Sequence, residues 1–469
     1  MTLARYAARN ENCVLVNAAM IAKMDAGGLE KWFALKANGT TVRTELLAGV
    51  TTFLTMAYII FVQPAVLSAA GMDFGAVLAA TCLATSFATA LMALLANYPI
   101  AVAPAMGHNF FFAYSVVIAM KVPWPIALGA VAVAGIVFIV TAGIGLRERL
   151  ITAIPTSLKH AIAAGIGLLI AAVGLQWAGL IVASPGTLVT LGNLRSRPVL
   201  LALASLTLTA MLLVRRVPGA FLWGMIASTA VGLPIGLVQY HGIVGRLPSL
   251  SPTLMQLDIA GALAPGMIAV VFVFFFLALF DSVGTLVGVG EQAGLMRDGT
   301  LPRAREALLA DAIGTVAGAA LGTSTVTAYI ESGAGVAAGG RTGLASLVTS
   351  ALFLVSLFLY PLVRMIGGGY TNGPTTLYPI IAAPLILVGA MMIGGLRHVA
   401  WDDPTESIPA FLTVIVMPLA VSITEGIAFG LIAYVVLKLS AGRARDVHPL
   451  IYAFAALFLG RYIFLRSVL

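Results

Sequence analysis

Gly322-Thr-Ser-Thr-Val-Thr-Ala-Tyr329 decides how this chain folds. Its β-branched residues recur two apart, and Glu331, Gly333 and Gly335 follow. That spacing predicts a short extended stretch leading into a half-helix. A second stretch, Tyr98-Pro-Ile-Ala-Val-Ala-Pro-Ala-Met-Gly107, reads the same way. Pro99 and Pro104 each remove a helix donor and crowd the preceding turn. The flanking sequence is apolar enough for a bilayer. There, extended backbone survives only where protein or a water-filled cavity satisfies its polar groups.

Composition supports the bilayer. Of 469 residues, 60% are hydrophobic and 9% charged, against about 25% charged in soluble domains. Apolar runs near the 20 residues that a span needs recur almost end to end. They predict fourteen segments: 45–70, 76–96, 101–120, 124–144, 157–180, 198–214, 219–238, 265–290, 306–321, 324–338, 343–361, 378–396, 408–422 and 424–440. Leu450 to Leu465, interrupted by Arg461, reads as an interfacial or bundle-packed helix, with a further span as the alternative. Residues 1–28 read as a dispensable leader. A charged Lys23 and Asp25 follow its apolar patch where a signal peptide would carry small residues, and Met24 is an alternative start.

The two broken segments lie about 224 residues apart, and the spans beginning near Glu45 and Pro265 recur at a similar offset. With seven spans in each half, the second half enters the membrane from the opposite side. The fold expected is therefore an all-α polytopic membrane protein. Its fourteen segments form two inverted seven-segment repeats, with extended stretches in segments 3 and 10. Paired broken helices in inverted repeats point to a transport site near the midplane. With both termini in the cytoplasm, inside segments carry 19 Lys and Arg and outside loops carry five: Lys121, Arg195, Arg197, Arg246 and Arg364. That bias fits the positive-inside rule.

The net charge of +8 is thus topogenic, and no basic stripe with interleaved aromatics points to nucleic acid. Cys13 and Cys82 form neither a disulfide framework nor a metal site. No phosphate-binding loop, zinc-ligand spacing or nucleophile elbow is present, so no cofactor, metal or enzyme activity is expected. Glycine pairs such as those in Ala163-Ala-Gly-Ile-Gly167 suit close helix packing.

A charge at the centre of a span costs about 2.5–3.5 kcal/mol or more, and marks a functional site by default. Asp281 lies deep in the run Val270 to Gly284, and Glu331 follows the second extended stretch near a half-helix start. Ionised, such a carboxylate accepts hydrogen bonds from N–H groups. Withdrawn from water, a carboxyl also holds a proton more readily, and so can take one up and release it near neutral pH. Structural pairing with backbone donors is the plainer alternative. Glu45 and Glu425 follow threonines at helix starts and read as caps. Asp311 is balanced between packing and function. Glu291, Arg297, Asp298, Arg303, Arg305 and Glu306 read as a solvated cytoplasmic loop. Asn109 can both donate and accept, which suits a heterocycle edge, and Phe110 offers a face for a flat ring. His108 reads as a hydrogen-bonded packing residue, with a proton relay as the alternative.

Six stretches carry a resemblance: Thr44-Glu-Leu-Leu-Ala-Gly-Val-Thr-Thr-Phe-Leu-Thr-Met-Ala-Tyr58, Ala96-Asn-Tyr-Pro99, Ala103-Pro-Ala-Met-Gly107, Leu279-Phe-Asp-Ser-Val-Gly-Thr285, Ala310-Asp-Ala-Ile-Gly314 and Gly322-Thr-Ser-Thr-Val-Thr-Ala-Tyr-Ile-Glu-Ser332. From about residue 29 onward the chain resembles the AzgA-like purine permeases of the nucleobase–ascorbate (nucleobase:cation symporter-2) superfamily. The resemblance implies a proton-coupled importer of adenine, guanine or hypoxanthine in the plasma membrane, the inner membrane of a bacterium. It implies a cytoplasmic tail (1–43), a core domain (44–144 and 263–361), a gate domain (145–262 and 362–442) and a C-terminal tail helix (443–469). It places Asp281 and Glu331 on the base and on the coupled proton, with Gly107 and Asn109 shaping the opposite wall. Phe110 and Thr285 align with lining positions, and Tyr329 lies beside the acid.

The chain departs from the family at His108, where members usually carry an apolar residue, and at Phe110, where they carry a small one. Monomer and homodimer both stay open. The rival reading is an anion transporter or channel of similar architecture, which two buried acids disfavour. A membrane enzyme or receptor would need a catalytic constellation or a sizeable soluble domain, and neither is visible.

Overall fold

The computed structural model describes residues 26–143, 155–296, 301–372 and 375–464. The leader with Cys13, Lys23 and Met24, together with Arg147, Arg149, Arg297, Asp298 and Arg466, lies outside the described residues. The first half contains α1 (Ala26–Phe33), α2 (Val42–Met56), α3 (Ile59–Ala69), α4 (Phe74–Leu91), β1 (Val102–Pro104), α5 (Met106–Phe110), α6 (Trp124–Gly143), α7 (Thr156–Trp177), a hairpin of β2 (Ile181–Ser184) and β3 (Leu188–Leu191), α8 (Arg197–Val214) and α9 (Ala220–Gly232). The second contains α10 (Ile268–Gln292), α11 (Ala304–Leu321), β4 (Val326–Ala328), α12 (Ser332–Ala337), α13 (Gly343–Ser356), α14 (Tyr360–Gly367), a hairpin of β5 (Tyr370–Asn372) and β6 (Thr375–Leu377), α15 (Ala382–Ile393), α16 (Pro404–Leu419), α17 (Ile423–Ser440) and α18 (Pro449–Phe464). Among the described residues, eight helical stretches, some of them interrupted, are long and apolar enough to cross a bilayer, from Val42–Ala69 to Ile423–Ser440. Shorter apolar helices, Met106–Ala119 and Ala382–His398 among them, lie between these. The chain is a multi-pass, mainly helical membrane protein.

Capping explains where the helices begin. Thr41 accepts from the Thr44 amide to start α2, and Asp73 accepts from the Ala76 amide to start α4. α4 ends in a π-helical turn, Met92–Ala96, closed by Asn97 at φ 56°. Asparagine tolerates that left-handed conformation. Asn97 then accepts from the Gly343 amide at 2.8 Å, tying the end of α4 to the start of α13.

Two sets of helices pack among themselves. α2 meets α13 and α12, α4 meets α3, α11 and α13, and α6 meets α11 and α10. In the other set α7 meets α15 and α16, α16 meets α17, and α8 meets α9 and α15. α7 and α15 cross where glycines face each other: a Cβ on Gly389 would lie 2.4 Å from the Gly167 carbonyl oxygen. Gly335 of α12 likewise sits where a Cβ would fall 2.0 Å from the Thr52 hydroxyl of α2. In lipid, where apolar burial does not drive helices together, such close approach supplies the packing.

Several expectations change. The first segment is broken at Ala57 and Tyr58, so α2 and α3 are separate helices. Glu45 does not cap its own helix, since Thr41 does. Its fully buried carboxylate instead accepts from the Arg341 amide at 2.8 Å, Thr342 at 3.3 Å and Ala345 at 3.2 Å, at the entry to α13. Ser422, and not Glu425, caps α17, and Glu425 accepts from the Tyr462 hydroxyl of α18. α18 therefore packs on the bundle, with Phe454 against Phe272 of α10 at 4.0 Å. Arg303 is not merely solvated: its amide donates to the Tyr98 hydroxyl at 2.9 Å. At the far end of the second set, buried Lys438 pairs with Glu406 at 2.8 Å, and Arg443 pairs with Asp403 at 2.7 Å. Hydrogen bonds from Thr405 and Arg443 hold the Asp403 carboxyl below the usual range.

Removing the Glu45 carboxylate strands three backbone donors in a buried place, at about 1–3 kcal/mol. Glu45→Ala is expected to lower the Tm of the detergent-solubilised protein, with Glu45→Gln intermediate. Thermal unfolding followed by tryptophan fluorescence checks this, and an unchanged Tm for Glu45→Ala contradicts it.

Candidate functional site

The site begins with two strands of three residues. β1 and β4 pair antiparallel, with Val102 opposite Ala328, Ala103 opposite Thr327 and Pro104 opposite Val326. All six are buried. The pairing continues outward: Ala105 donates to the Thr325 carbonyl at 3.0 Å and Tyr329 to the Ala101 carbonyl at 2.9 Å. A threonine on a neighbouring helix clamps each strand. Thr89 of α4 donates to the Val102 carbonyl and accepts from its amide, both at 3.0 Å. Thr315 of α11 does the same for Val326, at 2.7 and 3.3 Å. The outward-facing backbone groups of Val102 and Val326 are thus satisfied, as membrane depth requires.

A half-helix follows each strand. α5 starts at Met106 and α12 at Ser332, with Glu331 as its N-cap residue. Because the strands are antiparallel, the two half-helices run away from the pair in opposite senses. α10 passes beside them, contacting β4, α12 and α5.

Asp281 lies in the middle of α10, yet its side chain is 51% exposed. The carboxylate is thus accessible although it lies within a long apolar helix. Thr327 of β4 approaches this carboxylate, and Glu331 lies near enough for the two charges to act on each other. His108 Nδ1 is 3.8 Å from Asp281 Oδ2. Glu331 is half-buried and accepts from the Tyr58 hydroxyl at 2.8 Å. Thr55 donates to the Glu331 carbonyl at 3.3 Å. Asp311 of α11 is fully buried behind Asp281, directed toward Ser282 and the Ala328 backbone. Asp281, Gly284, Gly288 and Glu291 are all exposed along one face of α10, and a Cβ on either glycine would meet nothing within 4 Å. This uncovered face runs from Asp281 to the C-terminal end of the helix.

The other sequence-derived residues take different places. Gly107 packs on α7, where a Cβ would lie 2.8 Å from Ile166 Cγ2. Thr285 is buried one turn from Asp281 on the same helix face. Tyr329 is buried and commits its hydroxyl to the Pro104 carbonyl at 2.5 Å. Asn109 is fully buried, and its Oδ1 accepts from Ser324. Phe110 is fully buried and stacks on Tyr114, with centroids 5.5 Å apart. Asn109 and Phe110 are therefore packed within the protein, each committed to a neighbouring side chain. His108 also departs from expectation, since neither ring nitrogen has a hydrogen-bond partner. Sequence reasoning missed Tyr58, which ends the stretch Thr44 to Tyr58 without any chemical signal. It also missed the clamps Thr89 and Thr315, whose partners lie 13 and 11 residues away. Among the described residues no cluster of His, Cys, Asp and Glu is arranged to hold a metal ion.

Buried paired strands, half-helices leading away from them and acids within apolar helices are an arrangement suited to a transporter. A family model described as the permease family matches residues 43–429, and the chain belongs to that family. Its members are transporters, not enzymes. Adenine permease AdeP of Escherichia coli (strain K12) is 46% identical over 442 residues, covering 94% of this chain and 97% of that protein. Guanine/hypoxanthine permease PbuG of Bacillus subtilis (strain 168) is 44% identical over 450 residues, covering 93% and 100%. Among solved structures, the transmembrane domain of the cyanobacterial bicarbonate transporter BicA matches with TM-score 0.59 at 20% identity, covering 84% of this chain and 97% of that one. SLC26A9 matches with TM-score 0.61 at 14% identity, covering 92% and 70%. These two share the fold.

The Tyr58–Glu331 bond is a hydrogen bond to a chargeable group, worth about 1.5–3 kcal/mol. Tyr58→Phe is expected to weaken the apparent affinity for the transported solute about ten-fold or more at unchanged membrane abundance. Uptake kinetics normalised to immunoblot abundance measure this, and an unchanged KM removes Tyr58 from the site.

Proposed function

We propose that this protein imports purine bases together with protons by alternating access. The observation that carries the reading is the placement of Asp281 and Glu331 beside β4, near enough for their charges to act on each other, with the Asp281 carboxylate half exposed. A purine is a flat heterocycle with N–H donors and ring-nitrogen acceptors along its edges. Two carboxylates accept from its N–H groups, and either can carry the coupled proton. The names of the relatives, adenine permease and guanine/hypoxanthine permease, favour the same solute class. Two acids near each other oppose an anion as cargo, so the likeness to BicA and SLC26A9 is read as architecture alone.

The architecture in this reading is fourteen segments in two inverted repeats of seven. The matching clamps support it: Thr89 on Val102 in the first half has its counterpart in Thr315 on Val326 in the second. Residues 44–144 and 263–361 form the core, and 145–262 and 362–442 the gate. The two packing sets follow that division, and movement of one against the other would expose the site to each side in turn. The uncovered face of α10 from Asp281 to Glu291 is read as the path to the cytoplasm. Both termini are then cytoplasmic, and the membrane is the plasma membrane.

Asp281→Asn and Glu331→Gln are each expected to abolish uptake of radiolabelled purine while leaving membrane insertion intact. Competition by adenine, guanine, xanthine and uracil, with and without a protonophore, ranks the solutes and tests the coupling. Normal uptake by both variants would remove the two acids from the mechanism.

A further inference from the structure

We propose that His108 is a positioning residue for Asp281 and shares the coupled proton with it. Three observations carry this. The His108 side chain is 3% exposed, and neither of its ring nitrogens has a hydrogen-bond partner. Its Nδ1 lies 3.8 Å from Asp281 Oδ2. The carboxylate it faces is half exposed and has room to turn.

A buried polar group without a partner is costly, so it calls for a partner in another state of the molecule. The gap of 3.8 Å is too long for a hydrogen bond, and a movement of the half-exposed Asp281 carboxylate by about 1 Å would close it. A proton arriving on Nδ1 would then be shared with Oδ2 in a charge-assisted bond. That bond fixes Oδ2 and leaves Oδ1 to accept from the solute. When the site opens to the cytoplasm, the proton leaves Nδ1 for water, the bond parts and Asp281 turns back. One proton enters and one leaves in each cycle, and no covalent bond changes.

Among the described residues, no hydrogen bond reaches His108 from the elements packed around α5. From α10 it faces Asp281, with Asp311 behind. α3 packs on α5, and Tyr58 at its start commits its hydroxyl to Glu331. From β4 and the turn beyond come Tyr329, committed to Pro104, and Glu331 itself. The π-helical continuation of α5 brings Tyr114, stacked on Phe110. α7 meets α5 at Ile166, so its Lys159 and His160 lie about 10 Å further along that helix.

The inference rests on the symport reading, and the test separates the two. Initial rates of radiolabelled hypoxanthine or adenine uptake are measured from pH 5 to 8 for wild type, His108→Asn and His108→Leu. KM and maximal rate are resolved separately and normalised to membrane abundance. The wild type is expected to lose apparent affinity about ten-fold per pH unit above its midpoint. Both variants are expected to lose that dependence, or to shift its midpoint by a unit or more. A residue that only fills space would change abundance or maximal rate and leave the KM profile where it was. That result overturns the proposal. Wild-type uptake insensitive to a protonophore overturns the symport reading itself. Should neither variant reach the membrane, imidazole nitrogen NMR of the full-length wild type decides. One histidine is expected to pass to imidazolium on acidification with a midpoint that moves when purine is added, and the absence of any purine-sensitive histidine overturns the proposal.

Discussion

The backbone pairing of Val102–Pro104 with Val326–Ala328 is the constraint on which the rest depends. Bare peptide groups in a bilayer cost several kcal/mol each, so an interrupted helix needs another partner for every one of them. Here each broken segment supplies the partner of the other. Distant parts of the sequence are thereby locked together at the centre of the protein. Thr89 and Thr315 take the groups that face away from the pair. A pair so thoroughly bonded is a rigid support, and rigidity is what a binding site needs from it.

From that support the chemistry follows by geometry. Glu331 sits at the start of α12 because β4 ends three residues earlier, and Tyr58 reaches it because the first span breaks at Ala57. Asp281 enters from α10, the helix laid against β4. Polar groups that would be intolerable singly in lipid meet one another instead. Glu45 applies the same principle at the edge of the bundle, where one carboxylate serves the amides at the entry to α13. Lys438 with Glu406 does so in the other packing set.

Much of this was legible in the chain because strong local rules wrote it. Prolines at 99 and 104 and alternating threonines from 323 to 327 announce breaks that no helix could absorb. Acids within long apolar runs announce themselves by their cost. Less legible were contacts made by residues with ordinary local roles. Tyr58 looks like any interfacial aromatic, and the break beside it has neither glycine nor proline in the turn. Phe110 looked free to stack on a ring, but Tyr114, one helical turn away, already holds it. His108 looked like a packing residue with a satisfied ring, and its two bare nitrogens appear only when every neighbour is in place.

The sequence by itself determined that the chain lives in a membrane, where the interruptions at its prolines and alternating threonines fall, and which acids lie within its apolar runs. Those properties depend on transfer free energy and backbone sterics, which act along the chain. Only the tertiary structure decided which interruption pairs with which residue by residue, that Asn109 turns to Ser324, and that His108 looks at Asp281. Those outcomes depend on how helices far apart in sequence approach to within a few ångströms. Such approaches are set jointly by all the surfaces that pack, and no local stretch encodes them.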